Sequence, residues 1–197
     1  MNGKHDEGYI KFHYDWIKTP LPDYFLGNLF AWRQRLYEAR LIGSYPDGIG
    51  YGNISIRYNK TQFIISGTAS GNISDVDSNH FTLVKDFDLD QNFLLCHGPI
   101  AASSESLSHA AIYMANPSIN AIIHTHDRHL WNKYLDRLPT TLPNAEFGTT
   151  ALALNLSSIV KSERQTEGII IMSGHQDGII FYGSFLNKVG IMALNKR

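Results

Sequence analysis

The residues in this sequence best suited to chemistry stand in AIIHTHDRH, residues 121–129, where three histidines fall within six positions of a segment that otherwise reads as a buried strand. Side chains alternate along a strand, so His124 and His126 point to one side, close enough to share one ion. A third ligand then has to come from elsewhere in the chain. His175 is the candidate, because SGHQDG is a polar, glycine-flanked turn that follows an apolar strand and presents its side chain at a strand end. Three imidazoles would leave a zinc ion an open position for substrate. The competing reading makes His124 and His126 polar residues on a solvated strand end, and the pair alone does not decide between the two.

Other groups could complete such a site. In SSES, Ser103, Ser104 and Glu105 stand at the start of a helix, where free backbone N–H groups and the positive end of the dipole favour an anion such as phosphate; simple helix capping needs the same residues. Glu105 is either a capping carboxylate with a lowered pKa or an acid/base whose pKa burial has raised. The loop SGTASG, with Ser66, Gly67, Thr68, Ser70 and Gly71, offers hydroxyls and N–H groups able to wrap phosphate, and the amide of Asn53 could reach the same anion. Any loop of this composition looks similar. Arg57 is structural or a phosphate partner, while Cys96 and His97 read as packing or strand-end residues. HTHDRH nearly matches the H-x-H-x-D-H string of metallo-β-lactamase-type hydrolases, but Asp127 comes one place early and Arg128 fills the Asp position, which argues against that chemistry.

The whole chain restricts the partners. Its 197 residues suit one domain with one core, and 43% hydrophobic with 18% charged residues is an ordinary globular balance. A net charge of -1 with interspersed signs gives no footprint for nucleic acid or a membrane surface, so a small-molecule partner is expected. No apolar run reaches bilayer length and the start lacks a secretory pattern, so a cytoplasmic protein is expected. The single Cys96 excludes an internal disulfide and a thiolate cluster.

Apolar spacing predicts an amphipathic helix over residues 23–42, carrying Phe25, Leu26, Leu29, Phe30, Trp32, Leu36 and Tyr37. A hairpin GNISIRY/QFIIS and strands in FTLVKDFD and NFLLC come next. A serine-capped helix should follow, with Leu107, Ala110, Ala111 and Met114 on its buried face and Pro117 as its stop. In the strand at 119–126, Ile119, Ala121 and Ile123 should face away from Asn120, Ile122, His124 and His126. Helices over RHLWNKYLDR and from Thr149 or Thr150, a hairpin GIIIMSGHQDGIIFYG and a helix from Ser184 complete an α/β layered order with a largely antiparallel sheet. Residues 1–22 read as an N-terminal extension and 23–197 as a single domain.

In this order, GNISIR, ISGTASG, ASSESLSHAAIY, NAIIHTH and SGHQDG resemble the class II aldolase/adducin family, whose best-known members are fuculose-phosphate aldolase and ribulose-phosphate 4-epimerase. The resemblance spans about residues 25–193. It implies a three-layer α/β/α fold with a mostly antiparallel central sheet, a homotetramer, and one divalent metal ion per subunit, usually zinc, on His124, His126 and His175. By the same resemblance Glu105 becomes the catalytic acid/base, and Asn53, the loop from Ser66 to Gly71, Ser103 and Ser104 become the phosphate pocket. The implied activity is a metal-dependent aldehyde-lyase cleaving a ketose phosphate through a metal-stabilised enediolate. Within the family, a dehydratase of the methylthioribulose-phosphate type, an epimerase and a non-catalytic adducin-like interaction module are the other readings. The chain has GHQDG where the aldolases have HHG, and Tyr113, Tyr182 and His129 are the candidates for the acid that those enzymes take from a longer tail.

Overall fold

The computed structural model describes residues 8–23 and 26–196. The chain runs through β1 (His13–Lys18), α1 (Leu29–Glu38), β2 (Gly43–Ser44), β3 (Gly50–Tyr51), β4 (Asn53–Arg57), β5 (Phe63–Ser66), β6 (Phe81–Asp88) and β7 (Phe93–Gly98). It continues through α2 (Ser106–Ala115), β8 (Ala121–His126), α3 (Arg128–Tyr134), α4 (Thr150–Glu163), β9 (Gly168–Ile171), β10 (Gly178–Gly183) and α5 (Leu186–Asn195). Eight strands form one sheet in the order β1-β7-β6-β5-β4-β8-β10-β9, while β2 and β3 pair separately. Every neighbouring pair is antiparallel except β1 with β7.

Strand alternation splits the apolar residues between the two faces of this sheet. Phe63, Ile65, Val84, Ile122 and Ile180 pack with Leu107 and Ala111 of α2 and Leu152 and Leu156 of α4. Ile54, Ile64, Ala121, Ile123, Ile179 and Phe181 pack on the opposite side with Leu29, Trp32 and Leu36 of α1 and Val189 and Ala193 of α5. The result is the expected three-layer α/β/α arrangement. Among the described residues, no helix is long and apolar enough to cross a membrane.

Local details differ from the sequence expectation. The first helix is shorter than residues 23–42: Gly27 takes a left-handed φ of 49°, which a continuous helix cannot contain, and α1 starts at Leu29. Leu26 is buried in the core ahead of it, and Phe25 lies outside the described residues. The N-cap position of α2 is Glu105 rather than a serine, with Ser103 Oγ accepting the Glu105 N–H at 3.3 Å. Met114, in the last turn of α2, is 58% exposed, although Leu107, Ala110 and Ala111 are buried as expected. Ile119 precedes β8 and packs with the α2 side instead of with Ala121 and Ile123. Within the segment read as an extension, residues 13–18 form the edge strand β1, in register with β7 from His13 opposite Phe93 to Lys18 opposite Gly98.

These pairings bring several chain segments to one end of the sheet. The start of β4, the end of β8 and the start of β10 lie side by side, through Asn53 opposite His124 and Gly178 opposite His126. The end of β5 lies beside β4 at the same end, because those two strands are antiparallel.

Candidate active site

At this end His124, His126 and His175 converge. Alternation on β8 turns the first two to the α2 face, and the turn between β9 and β10 supplies the third. That turn is tight: the His175 N–H donates to Met172 O at 3.1 Å and the Gly178 N–H returns to His175 O at 2.9 Å. Arg128 grips the Asp177 carboxylate through Nε and Nη2 at 3.1–3.2 Å, and the Asp127 N–H donates to Asp177 O at 3.0 Å. Asp127 also caps α3 by accepting the Leu130 N–H. In HTHDRH, then, Asp127 and Arg128 anchor the turn that carries His175.

One ligand atom from each imidazole lies within 4.8 Å of the others. His126 Nε2 and His175 Nε2 are 3.1 Å apart, and all three rings are buried. A Cβ on Gly178 would stand 2.6 Å from His175 Cδ2 and 3.2 Å from His124 Nε2, so the glycine clears the space the rings occupy. Burial, reinforced by His126, His175 and His109, holds the His124 pKa well below its ordinary value. The ring is therefore neutral, the form that binds metal. Its buried Nε2 has no hydrogen-bond partner among the described residues. An orphaned buried nitrogen on a neutral imidazole and the close convergence of three buried rings fit a divalent ion of the zinc class.

The opposite ring edges are tethered. Tyr45 Oη lies 2.7 Å from His126 Nδ1, and the Tyr51 ring lies 5.3 Å from the His126 ring. Asn53 Nδ2 lies 3.4 Å from His124 Nδ1, and Asn53 Oδ1 is buried with no partner among the described residues. Turned over, the same amide would accept from His124 Nδ1–H, leaving Nε2 bare for an ion and the amide N–H groups for an anion.

A pocket of about 380 Å³, counting space open to solvent, lies against this cluster. Glu105 lines it, with Oε1 at 3.7 Å from His175 Nε2. Both carboxylate oxygens are sealed from solvent without a hydrogen-bond partner among the described residues. Burial pushes this carboxyl up to about 7, while nearby Ser108 and the charge of Lys11 draw it down more weakly. It can therefore hold or release a proton near neutral pH. Ser103, Ser104, Gly67, Ser70, Gly71 and Asn53 also line the pocket.

Other residues singled out from the sequence lie elsewhere or serve the frame. Ser66 Oγ accepts the Ile54 N–H and ties β5 to β4, while the Thr68 N–H donates to Ala101 O; neither residue lines the pocket. The Ser70 hydroxyl donates to Gly67 O and closes its own loop. Arg57 clamps the carbonyls of Tyr113, Asn116, Ile119 and Lys60, so it is structural. Cys96 is in the core and His97 is half-buried on β7. Tyr113 bonds Ser55, Tyr182 packs on Gly168 and His129 is exposed on α3, so none of these three reaches the pocket lining. The tyrosines beside the cluster are Tyr45 and Tyr51, which the sequence reading missed. It missed Phe147 as well, whose ring lies 5.1 Å from that of His175, and Lys11, whose ammonium lies 3.9 Å from the Phe147 ring centroid. The signal for Tyr45 was its place in the glycine-rich YPDGIGYG just ahead of Asn53.

The fold is shared with solved structures. YgbL from Klebsiella pneumoniae, described as a candidate aldolase/epimerase/decarboxylase, is 17% identical with a TM-score of 0.65, over 88% of this chain and 86% of that one. An L-fuculose 1-phosphate aldolase is 19% identical with a TM-score of 0.63, over 89% of this chain and 82% of that one. A sugar-phosphate aldolase from Thermotoga maritima is 16% identical with a TM-score of 0.54, over 86% of this chain and 96% of that one. No curated protein sequence matches the chain. The family description "Class II Aldolase and Adducin N-terminal domain" matches residues 45–189, a span that holds the three histidines, Glu105, Asn53, Gly67, Ser70, Gly71, Ser103 and Ser104. The chain therefore belongs to the class II aldolase and adducin family.

Proposed function

We propose that this protein is a metal-dependent lyase of the class II aldolase type that cleaves a ketose phosphate into two smaller carbonyl compounds. The observation that carries the reading is the meeting of three buried imidazoles, converging within 4.8 Å, with a buried carboxyl 3.7 Å from one of them. A metal-free interaction module has no use for that combination, since each buried unsatisfied polar group costs stability.

His124, His126 and His175 would hold a divalent ion, which supplies Lewis-acid stabilisation of charge developing on substrate oxygens. The remaining chemistry falls to the chain. Asn53, Ser103, Ser104 and the loop at residues 67–71 grip the phosphate and fix the reacting carbons beside Glu105. Breaking the C3–C4 bond leaves an electron pair on C3 and turns the C4 hydroxyl into an aldehyde, so the net change relocates one proton from that hydroxyl to C3. Glu105, with a pKa of about 7, delivers the proton to C3 and is poised to recover one afterwards. Dehydration or epimerisation of the same substrate class would use the same groups, and product analysis separates them. A homotetramer belongs to this reading, and the exposed Tyr14, Trp16 and Ile17 of β1 are surface that an assembly could bury.

The test is elemental analysis of untagged protein beside a His124→Ala, His126→Ala variant, followed by incubation with ketose phosphates. About one ion per chain, lost in the variant, together with aldehyde release that stops in Glu105→Gln, is expected. No metal in either protein, or cleavage that survives both metal removal and Glu105→Gln, refutes the proposal.

A further inference from the structure

Arg33 is a cation buried in the interior with no counterion among the described residues. It lies on α1, 1% exposed, and no carboxylate among the described residues pairs with it. Its Nη2 donates instead to three backbone carbonyls of one loop: Ser70 O at 2.8 Å, Gly71 O at 3.1 Å and Ile73 O at 2.7 Å. Nη1 is buried with no partner among the described residues. Burial lowers the guanidinium only to about 10, so it stays charged at neutral pH. A buried charge of this kind is costly unless an opposite charge arrives nearby.

The loop geometry shows where that charge would come. Across a trans peptide the C=O and the following N–H point in opposite directions. With Ser70 O and Gly71 O turned to Arg33, the N–H groups of Gly71 and Asn72 must point away from it. Neither donates to a backbone acceptor among the described residues. Both nitrogens stand beside pocket-lining Gly50, where a Cβ would lie 3.2 Å from Gly71 N and 3.6 Å from Asn72 N, so a larger residue there would cover them. Ala69, just upstream, takes a left-handed φ of 53°, the kind of turn that gathers successive N–H groups into an anion-binding concavity.

We propose that Arg33 is a positioning residue that orients and polarises the loop at residues 67–73, so that its outward N–H groups receive a phosphate dianion while its buried charge faces that dianion through the peptide dipoles. This rests on the sugar-phosphate reading of the pocket. It assigns the phosphate's counter-charge to a side chain that does not itself touch the ligand.

The experiment titrates inorganic phosphate into Co(II)-loaded protein by calorimetry, with the visible spectrum reporting whether the anion sits on the metal. Wild type should bind phosphate without a spectral change. Arg33→Met should keep metal stoichiometry and spectrum but bind phosphate at least about tenfold more weakly, and Arg33→Lys should recover part of the loss. A folded Arg33→Met protein with phosphate affinity within about twofold of wild type overturns the role of Arg33 and leaves the pocket assignment standing. Wild type that binds phosphate only on the metal, or not at all, sinks the sugar-phosphate reading and this inference with it. If Arg33→Met does not fold, the wild-type amide resonances decide. Phosphate must shift those of Gly71 and Asn72, and unmoved resonances refute the proposal.

Discussion

Gly178→Ala tests the histidine cluster without removing a histidine. Gly178 is a strand residue whose φ lies outside the left-handed region, so alanine is acceptable to the backbone and the whole effect comes from the added methyl. That methyl would sit 2.6 Å from His175 Cδ2, 2.9 Å from His175 O and 3.2 Å from His124 Nε2. Carbon atoms pack at about 3.5–4.0 Å, so the His175 ring has to retreat by about 1 Å. It has little room to do so, because His126 and Phe147 lie against it with ring centroids 4.8 Å and 5.1 Å away. Overpacking of this kind costs about 1–3 kcal/mol, and a chain of this size loses about 2–4 °C of Tm per kcal/mol. Metal-free protein should therefore melt several degrees lower, and Co(II) affinity should fall by an order of magnitude or more as the imidazoles lose convergence. In a His175→Ala background the stability penalty should shrink, since only the carbonyl and His124 contacts remain. Unchanged Tm and unchanged Co(II) affinity in Gly178→Ala would refute the claim that this glycine makes room for the site.

Two further outcomes follow from the same geometry. Glu105 has a folded pKa of about 7, above its ordinary 4.5, so the native state keeps a proton that the unfolded chain has lost between those values. Its contribution to stability is complete below about pH 4.5 and is lost as pH rises through 7; metal-free Glu105→Gln should lack this slope in urea titrations and be more stable at pH 8 by on the order of 3 kcal/mol. Tyr45→Phe removes the partner 2.7 Å from His126 Nδ1 and should weaken Co(II) binding by about tenfold in competition with a chelator, with Tm of the metal-free protein nearly unchanged.

The sequence made the sheet and its clustered histidines legible wherever the signal was local. Period-two alternation in AIIHTH placed both histidines on one face, and a glycine-bounded turn placed His175 at a strand end. The parts that stayed hidden depend on distance in the chain. Arg33 sits among Leu29, Trp32 and Leu36 on the buried face of α1, an odd place for a cation, but nothing local shows that its acceptors lie near residues 70–73. Tyr45 reaches His126 across 81 positions. Strand β1 escaped notice because all six of its residues are exposed, so HYDWIK contributes no residue to the core and its place is set by pairing with β7. Ser66 and Thr68 looked like ligands by composition, yet one hydroxyl and one N–H were already committed to the frame that shapes the loop.

With the proposed ion and phosphate bound, Glu105 would lie between two centres of opposite influence on its proton. Unliganded, the carboxyl is pushed up to about 7 by burial, against the weaker pull of Ser108 and Lys11. With a dication on the neighbouring imidazoles, its pKa must fall, because a cation beside His175 favours the charged carboxylate. A phosphate dianion settling on the loop would oppose that shift, since a second negative charge in the same low-dielectric pocket favours the neutral acid. Glu105 would then gain proton affinity when substrate is in place, which is when C3 needs a donor. Arg33 limits the size of this effect by neutralising part of the phosphate charge from behind the loop. Its removal should make bound phosphate raise the Glu105 pKa further even as it weakens phosphate binding, two opposite movements that a merely structural arginine would not couple.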